Sequence, residues 1–323
     1  MTTLRLWSDE IEAMRPEARA AVDSNNGPFA ASRREQDLTV MSRAQRVTQS
    51  RAEMQASTFP IDGTEEREIA GVRCRIFRPD APARAVYLHF HGGGMVTGSP
   101  EMMDILNQML AKQHGVAVVS ADYRKAPEHP FPAGPDDGVA VAGWLLENGE
   151  AEFGSPRLLI GGESAGGYMT ASVGLRVRDE LGAIDRVLGL NLIFGVFDWG
   201  GAPSQHGLRP HEGFDVLTPE GIEFFTECYL PGRTPDARRA PDISPAFADL
   251  RGLPPCLVSV GSCDHLLDDS LLLAARAAAA GVDVDLFVAP DMPHAFFAFD
   301  CGITRRWFEH QASWIEARLT TVW

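Results

Sequence analysis

Gly162-Glu163-Ser164-Ala165-Gly166 is the stretch on which the reading of this 323-residue chain turns. It follows an apolar run, Arg157-Leu158-Leu159-Ile160-Gly161, that reads as a buried parallel strand. It precedes Tyr168-Met169-Thr170-Ala171-Ser172-Val173, which reads as a helix start. A G-x-S-x-G between strand and helix is a sharp turn that lifts the serine oxygen clear of the sheet. Such a turn strains the serine backbone, and a side chain two residues to either side would collide with the neighbouring strand and helix. The first helix amides, starting at Ala165, then point at any anion that forms there. With 31 glycines in the chain, the pattern arises by chance in roughly one such sequence in five. Its meaning therefore rests on the surroundings.

The hydrophobic content of 45% and charged content of 23% are those of an ordinary globular protein, and the length is ample for a large core. A net charge of −15 argues against nucleic acid or an anionic membrane surface as a partner, because both would repel it. The cysteines at 74, 228, 256, 263 and 301 are scattered and odd in number, so a disulfide framework or a zinc site is not expected. The N-terminus turns acidic at Asp9-Glu10 before an apolar signal core could form, and the longest apolar run, Val187 to Phe197, is too short to span a bilayer. A cytoplasmic protein is expected.

Residues 1–58 carry two helical patterns, Ser8 to Val22 and Val40 to Gln55, separated by the turn signal Asn25-Asn26-Gly27-Pro28. This arm reads as part of a cap over a site in the main domain; a solvated helical arm is the alternative. From 59 to 323 the texture is that of one catalytic domain. A hairpin about Gly71 is followed by alternating strands and helices, which imply a mostly parallel sheet covered on both faces. The expected helices include Glu101 to Gln113 and Asp136 to Asn148. The alternation lapses over about 197–245, read as an insertion that joins the arm in the cap, with a short helix at Pro219 to Tyr229.

A serine hydroxyl becomes a useful nucleophile when a base takes its proton and a third group holds the base. His91-Gly92-Gly93-Gly94 ends a predicted strand, and its bare amides can approach an oxyanion closely. The expected donors are Gly93, Gly94 and Ala165, with Gly92 as the alternative. For the base, His294 follows a late strand, and His265 is its rival. For the orienting acid, Asp264 closes the preceding strand; Asp268 is its rival, although Asp268 and Asp269 read better as carboxylates capping free amides at a helix start. His89 and His91 have the spacing of a metal pair, but no third ligand is in view, so no metal is expected.

Together, HGGG, GESAGG, the segment Asp122-Tyr123-Arg124-Lys125-Ala126-Pro127-Glu128-His129-Pro130-Phe131-Pro132-Ala133 and Pro293-His294-Ala295-Phe296 resemble the hormone-sensitive-lipase-like carboxylesterases of the α/β-hydrolase superfamily. The resemblance covers roughly 60–320. It implies an α/β-hydrolase fold with a helical cap, Ser164 as nucleophile with Asp264 and His294, an HGGG oxyanion hole, no cofactor, a small-molecule ester as substrate and often a dimer. The chain departs from the family at Glu163, where aspartate is common, at Met95, where a large aromatic is common, and at Lys125, where leucine is usual. The prolines after Asp122 read as stiffening a turn beneath the HGGG loop, with one X–Pro bond expected to be cis. Met95, Phe197, Trp199 and Phe214 are candidates for the substrate pocket, each equally readable as core. A compact covered pocket points to short acyl chains. Amidase, lactonase or formamidase chemistry uses the same parts. The gibberellin receptors, which resemble this family and bind without catalysis, lack the histidine that stands here as His294.

Overall fold

A computed structural model describes residues 5–24, 41–207 and 216–320; the turn expected at Asn25 to Pro28 lies outside them. The strands are β1 (Glu65–Ile69), β2 (Val72–Phe77), β3 (Val86–Phe90), β4 (Ala117–Ala121), β5 (Leu158–Glu163), β6 (Val187–Ile193), β7 (Cys256–Gly261) and β8 (Val284–Ala289). They form one sheet in the order β1-β2-β4-β3-β5-β6-β7-β8. The β1–β2 hairpin and the β2–β4 pair are antiparallel; every pair from β4 to β8 is parallel. This is the expected α/β-hydrolase architecture.

The helices are α1 (Asp9–Ala13), α2 (Arg15–Asp23), α3 (Arg43–Ala56), α4 (Asp104–His114), α5 (Ala133–Phe153), α6 (Ala165–Asp179), α7 (Pro219–Tyr229), α8 (Pro235–Arg238), α9 (Leu267–Ala279) and α10 (Gly302–Thr320). Some of them differ from expectation. The single helix over Ser8 to Val22 is two, because Pro16 has no amide to donate and fits only the first turn of a new helix. Pro100 likewise begins a short 3₁₀ turn, so α4 starts at Asp104. Helix α5 is longer at both ends than the Asp136 to Asn148 pattern.

The period-two alternation of β3 sorts the core into layers. Val86, Leu88 and Phe90 pack with Val141 and Leu145 of α5 and with Met169 and Val173 of α6. Tyr87 faces the other way, towards Ala111 of α4 and Trp314 and Ile315 of α10. Each large apolar side chain removed from water in this way contributes about 1.5–3 kcal/mol. The N-terminal arm divides. Ile11 of α1 and Ala18 and Val22 of α2 pack with Phe287, Met292, Phe296 and Trp307, against β8 and α10. Helix α3 instead meets α7, where the Arg46 guanidinium lies 4.1 Å over the Phe224 ring.

Candidate active site

Strand β5 ends at Glu163 and α6 begins at Ala165, which leaves Ser164 alone at the turn with φ 57° and ψ −117°. Its N–H donates to the Ile193 carbonyl at 2.9 Å and its own carbonyl accepts from Tyr168 N–H at 3.1 Å, so bonds on both sides hold the left-handed backbone. The flanking glycines are required sterically. A Cβ on Gly162 would fall on the Phe90 carbonyl and lie 2.8 Å from Gly166. On Gly166 it would strike the same carbonyl from the other side.

The ends of three strands bring the polar groups together. Ser164 Oγ donates to His294 Nε2 at 3.0 Å, and His294 Nδ1 donates to Asp264 Oδ2 at 2.8 Å. The second oxygen of Asp264 accepts from Leu266 N–H at 2.8 Å. Asp264 is 1% exposed and His294 7%. The loops that carry Asp264 and His294 are themselves tied together, by Cys263 N–H to the Met292 carbonyl at 3.0 Å and Asp291 N–H to Ser262 Oγ at 2.8 Å.

The rivals point elsewhere. His265 Nδ1 donates to the Ser204 carbonyl at 2.9 Å. Asp268 accepts from Ser204 N–H at 2.9 Å. Asp269 accepts from the N–H groups of Phe197 and Asp198 and from Gln205 Nε2, each at 2.8 Å. The expectation that Asp268 and Asp269 cap their own helix is corrected here. Helix α9 starts at Leu267, so both lie inside its first turn and reach out to amides of the segment that follows β6. Burial pushes the Asp269 carboxyl up to about 7, against the lowering effect of Gln205 and the two amides.

In the HGGG loop the carbonyls are engaged. Tyr123 OH donates to His91 O at 2.8 Å, His91 Nδ1 to Gly92 O at 2.7 Å, and Val96 and Thr97 N–H to Gly93 O at 3.0 and 2.8 Å. Among the described residues no acceptor takes the N–H of Gly93, Gly94 or Ala165. Gly93 and Gly94 have φ of 120° and 62°. The Asp122–Ala133 segment supports this loop: the Tyr123 ring stacks on His91 at 4.4 Å, and Ala126 N–H donates to Met95 O at 2.8 Å. Two X–Pro bonds there are cis, at Pro127 and Pro132, where one was expected. Burial, with Lys125 nearby, pulls the His91 imidazole down to about 3, which leaves it neutral. Lys125 itself bonds Asp122 Oδ1 at 2.5 Å, and His89 Nε2 donates to Glu163 Oε2 at 3.0 Å.

A cavity of about 400 Å³ opens over Ser164, His294, Ala165 and Gly92 to Gly94. Of the pocket candidates, Trp199 lines it, and Phe214 lies outside the described residues. Met95 and Phe197 do not line it. Met95 has φ 63°, and this turn sends its side chain behind the loop, against Gly134 of α5. Phe197 is drawn down by its amide bond to Asp269, and its ring is fully buried beside Gly195. The aromatic positions that the sequence reading missed are Phe59, Phe194, Phe225 and Phe297. Phe194 directly follows β6 and packs edge-on to the His294 ring at 4.8 Å, so its place at the carboxyl end of a strand was a usable signal. The ring of Phe225, from α7, occupies the space beside Gly94 that a Cβ would need.

A family model described as alpha/beta hydrolase fold matches residues 87–298. The chain is 35% identical over 220 residues to carboxylesterase NlhH of Mycobacterium tuberculosis, covering 66% of this chain and 67% of that protein. It is 35% identical over 233 residues to carboxylic ester hydrolase LipN of the same species, covering 70% and 61%. A solved hormone-sensitive lipase from a metagenome library superposes with a TM-score of 0.76 at 33% identity, covering 95% of this chain and 98% of that one. No helix among the described residues is long and apolar enough to cross a membrane. The chain belongs to the alpha/beta hydrolase fold family, among its hormone-sensitive-lipase-like carboxylesterases.

Proposed function

We propose that this enzyme hydrolyses carboxylic esters through an acyl-enzyme formed on Ser164. The observation that carries the reading is the unbroken chain from Ser164 Oγ to His294 Nε2 to Asp264, at 3.0 and 2.8 Å. His294 takes the hydroxyl proton as Ser164 Oγ bonds to the ester carbon. The carbonyl oxygen becomes an oxyanion facing the N–H groups of Gly93, Gly94 and Ala165, with Gly92 as the alternative donor. Collapse breaks the ester C–O bond, and the proton passes from His294 to the leaving alcohol. Water then repeats the sequence on the acyl-serine, giving the acid and free Ser164. Asp264 stays ionised and orients the imidazole throughout.

Two segments form the cap in this reading: the end of α3 with its following turn, where Met54 and Phe59 reach the cavity, and α7 with its approach, where Leu217 and Phe225 do. An apolar cavity of about 400 Å³ beneath such a cover favours short acyl chains. Hydrolysis of p-nitrophenyl esters from acetate to decanoate, wild type beside Ser164→Ala, tests both parts. Rates that peak at short chains and vanish in the variant are expected. Activity that survives Ser164→Ala discards the acyl-enzyme, and a peak at decanoate discards the short-acyl reading.

A further inference from the structure

Glu163 stands next to Ser164, yet its side chain belongs to the other side of the sheet from α6. On β5, Leu158 and Ile160 face α5 and α6, and Leu159 faces α4 and α10. Glu163 shares the parity of Leu159. A second cavity of about 500 Å³ lies on that side, between α4 and α10. Glu163, Leu106 and Phe297 line both this cavity and the one over Ser164, so the two spaces adjoin at these side chains.

The chemistry of the second cavity is lopsided. Tyr87, Phe297, Trp307 and Phe308 give it aromatic walls. Asn107 donates from its amide nitrogen to His89 Nδ1 at 3.3 Å, and Ser120 Oγ lies 2.7 Å from the same atom, so Nδ1 is an acceptor. His89 then donates from Nε2 to Glu163 Oε2. Among the described residues that line the two cavities, Arg305 is the one arginine or lysine. Its guanidinium is held at the exposed rim by Asp300 at 2.6 Å and Glu17 at 3.0 Å. A carboxylate among aromatic faces attracts a cation and repels an anion.

We propose that Glu163 selects esters that carry a positively charged ammonium group, received in the cavity between α4 and α10 while the ester carbonyl sits at Ser164. The inference rests on the esterase reading above. The test compares kcat/KM for butyrylthiocholine with that for uncharged dimethylbutyl thiobutyrate, in which carbon replaces nitrogen. The charged ester is preferred by wild type; the preference falls about tenfold in Glu163→Gln and is kept in Glu163→Asp. A wild-type ratio at or below one, or a ratio that Glu163→Gln leaves unchanged, overturns the proposal. Calorimetry of phenyltrimethylammonium binding to Ser164→Ala, with and without Glu163→Gln, reads the same site without turnover. Binding about tenfold weaker in the double variant is expected, and equal or absent binding overturns the proposal. Failure of the esterase reading looks different: neither thioester is cleaved, or cleavage survives Ser164→Ala, and the calorimetry still decides the role of Glu163.

Discussion

The carboxylate of Asp291, three residues before His294, receives Arg15 Nε at 2.8 Å. Arg19 Nε reaches the same oxygen at 2.8 Å, and the Asp291 side chain is 7% exposed. Helix α2 is thus tied to the loop that carries the candidate base. Replacing both arginines with glutamine leaves a largely buried carboxylate without its partners. Because Arg19 is half exposed and water screens it, the expected loss is about 1–3 kcal/mol, below the figure for a fully buried pair. Urea midpoints measure that loss. A looser His294 loop lowers kcat more than it raises KM, and unchanged kcat in a folded variant would refute the link to the base.

Asp264 and Asp268 separate cleanly by substitution. In Asp264→Asn the amide oxygen stays on Leu266 N–H and an NH2 group faces His294 Nδ1, which favours the wrong imidazole tautomer, and kcat is expected to fall about a thousandfold to ten-thousandfold. Asp268→Asn keeps an oxygen for Ser204 N–H and brings no comparable loss. Steady-state kinetics of the two proteins, side by side, decide between the carboxylates.

The pH profile tests the base. A protonated imidazole cannot accept the Ser164 proton, so kcat/KM is expected to fall as the solution is made acid. A flat profile from about pH 5 to 8 counts against His294 in this role.

Asp269 gives a separate pH effect, on stability. Burial raises its carboxyl from an ordinary 3.8 to about 7 in the folded protein. The folded state therefore holds a proton that the unfolded state has released over this window. Its contribution is fully present below about pH 4 and is lost as pH rises through about 7. The stability of wild type minus that of Asp269→Asn is expected to shrink across this interval and level off above it. Urea midpoints at several pH values measure the difference; a constant difference would contradict the shift.

Gly166→Ala places a methyl group on the Phe90 carbonyl of β3, and the backbone there has bonds on both sides of Ser164 to hold it still. A loss of about 3 kcal/mol or more is expected, together with activity. Chemical denaturation of the purified protein measures it. A variant as stable as wild type would mean that the elbow moves more freely than its bonds indicate.

Much of the candidate site was legible because its parts are local. A strand run, a glycine pair around one serine and a strand ending in three glycines each announce themselves within a few residues. The order Ser164, Asp264, His294 follows from which strands precede them. Legibility failed where the chain leaves a regular element. Phe194 and Phe197 lie three residues apart after β6; the place of Phe194 at the end of the strand was a usable signal, but nothing local shows that Asp269 draws Phe197 down.

The amino-acid sequence by itself determined the alternation of strands and helices, the elbow and the residues able to serve as nucleophile, base and acid. Periodicity and glycine sterics act over a single turn or strand. Only the tertiary structure decided that α1 and α2 pack against β8 and α10, that Met95 turns away from the cavity and that Glu163 meets His89 of the neighbouring strand. Those outcomes depend on contacts between segments far apart in the chain. The direction of a side chain in a loop is set by whichever distant donor or surface it meets, and no local pattern encodes that partner.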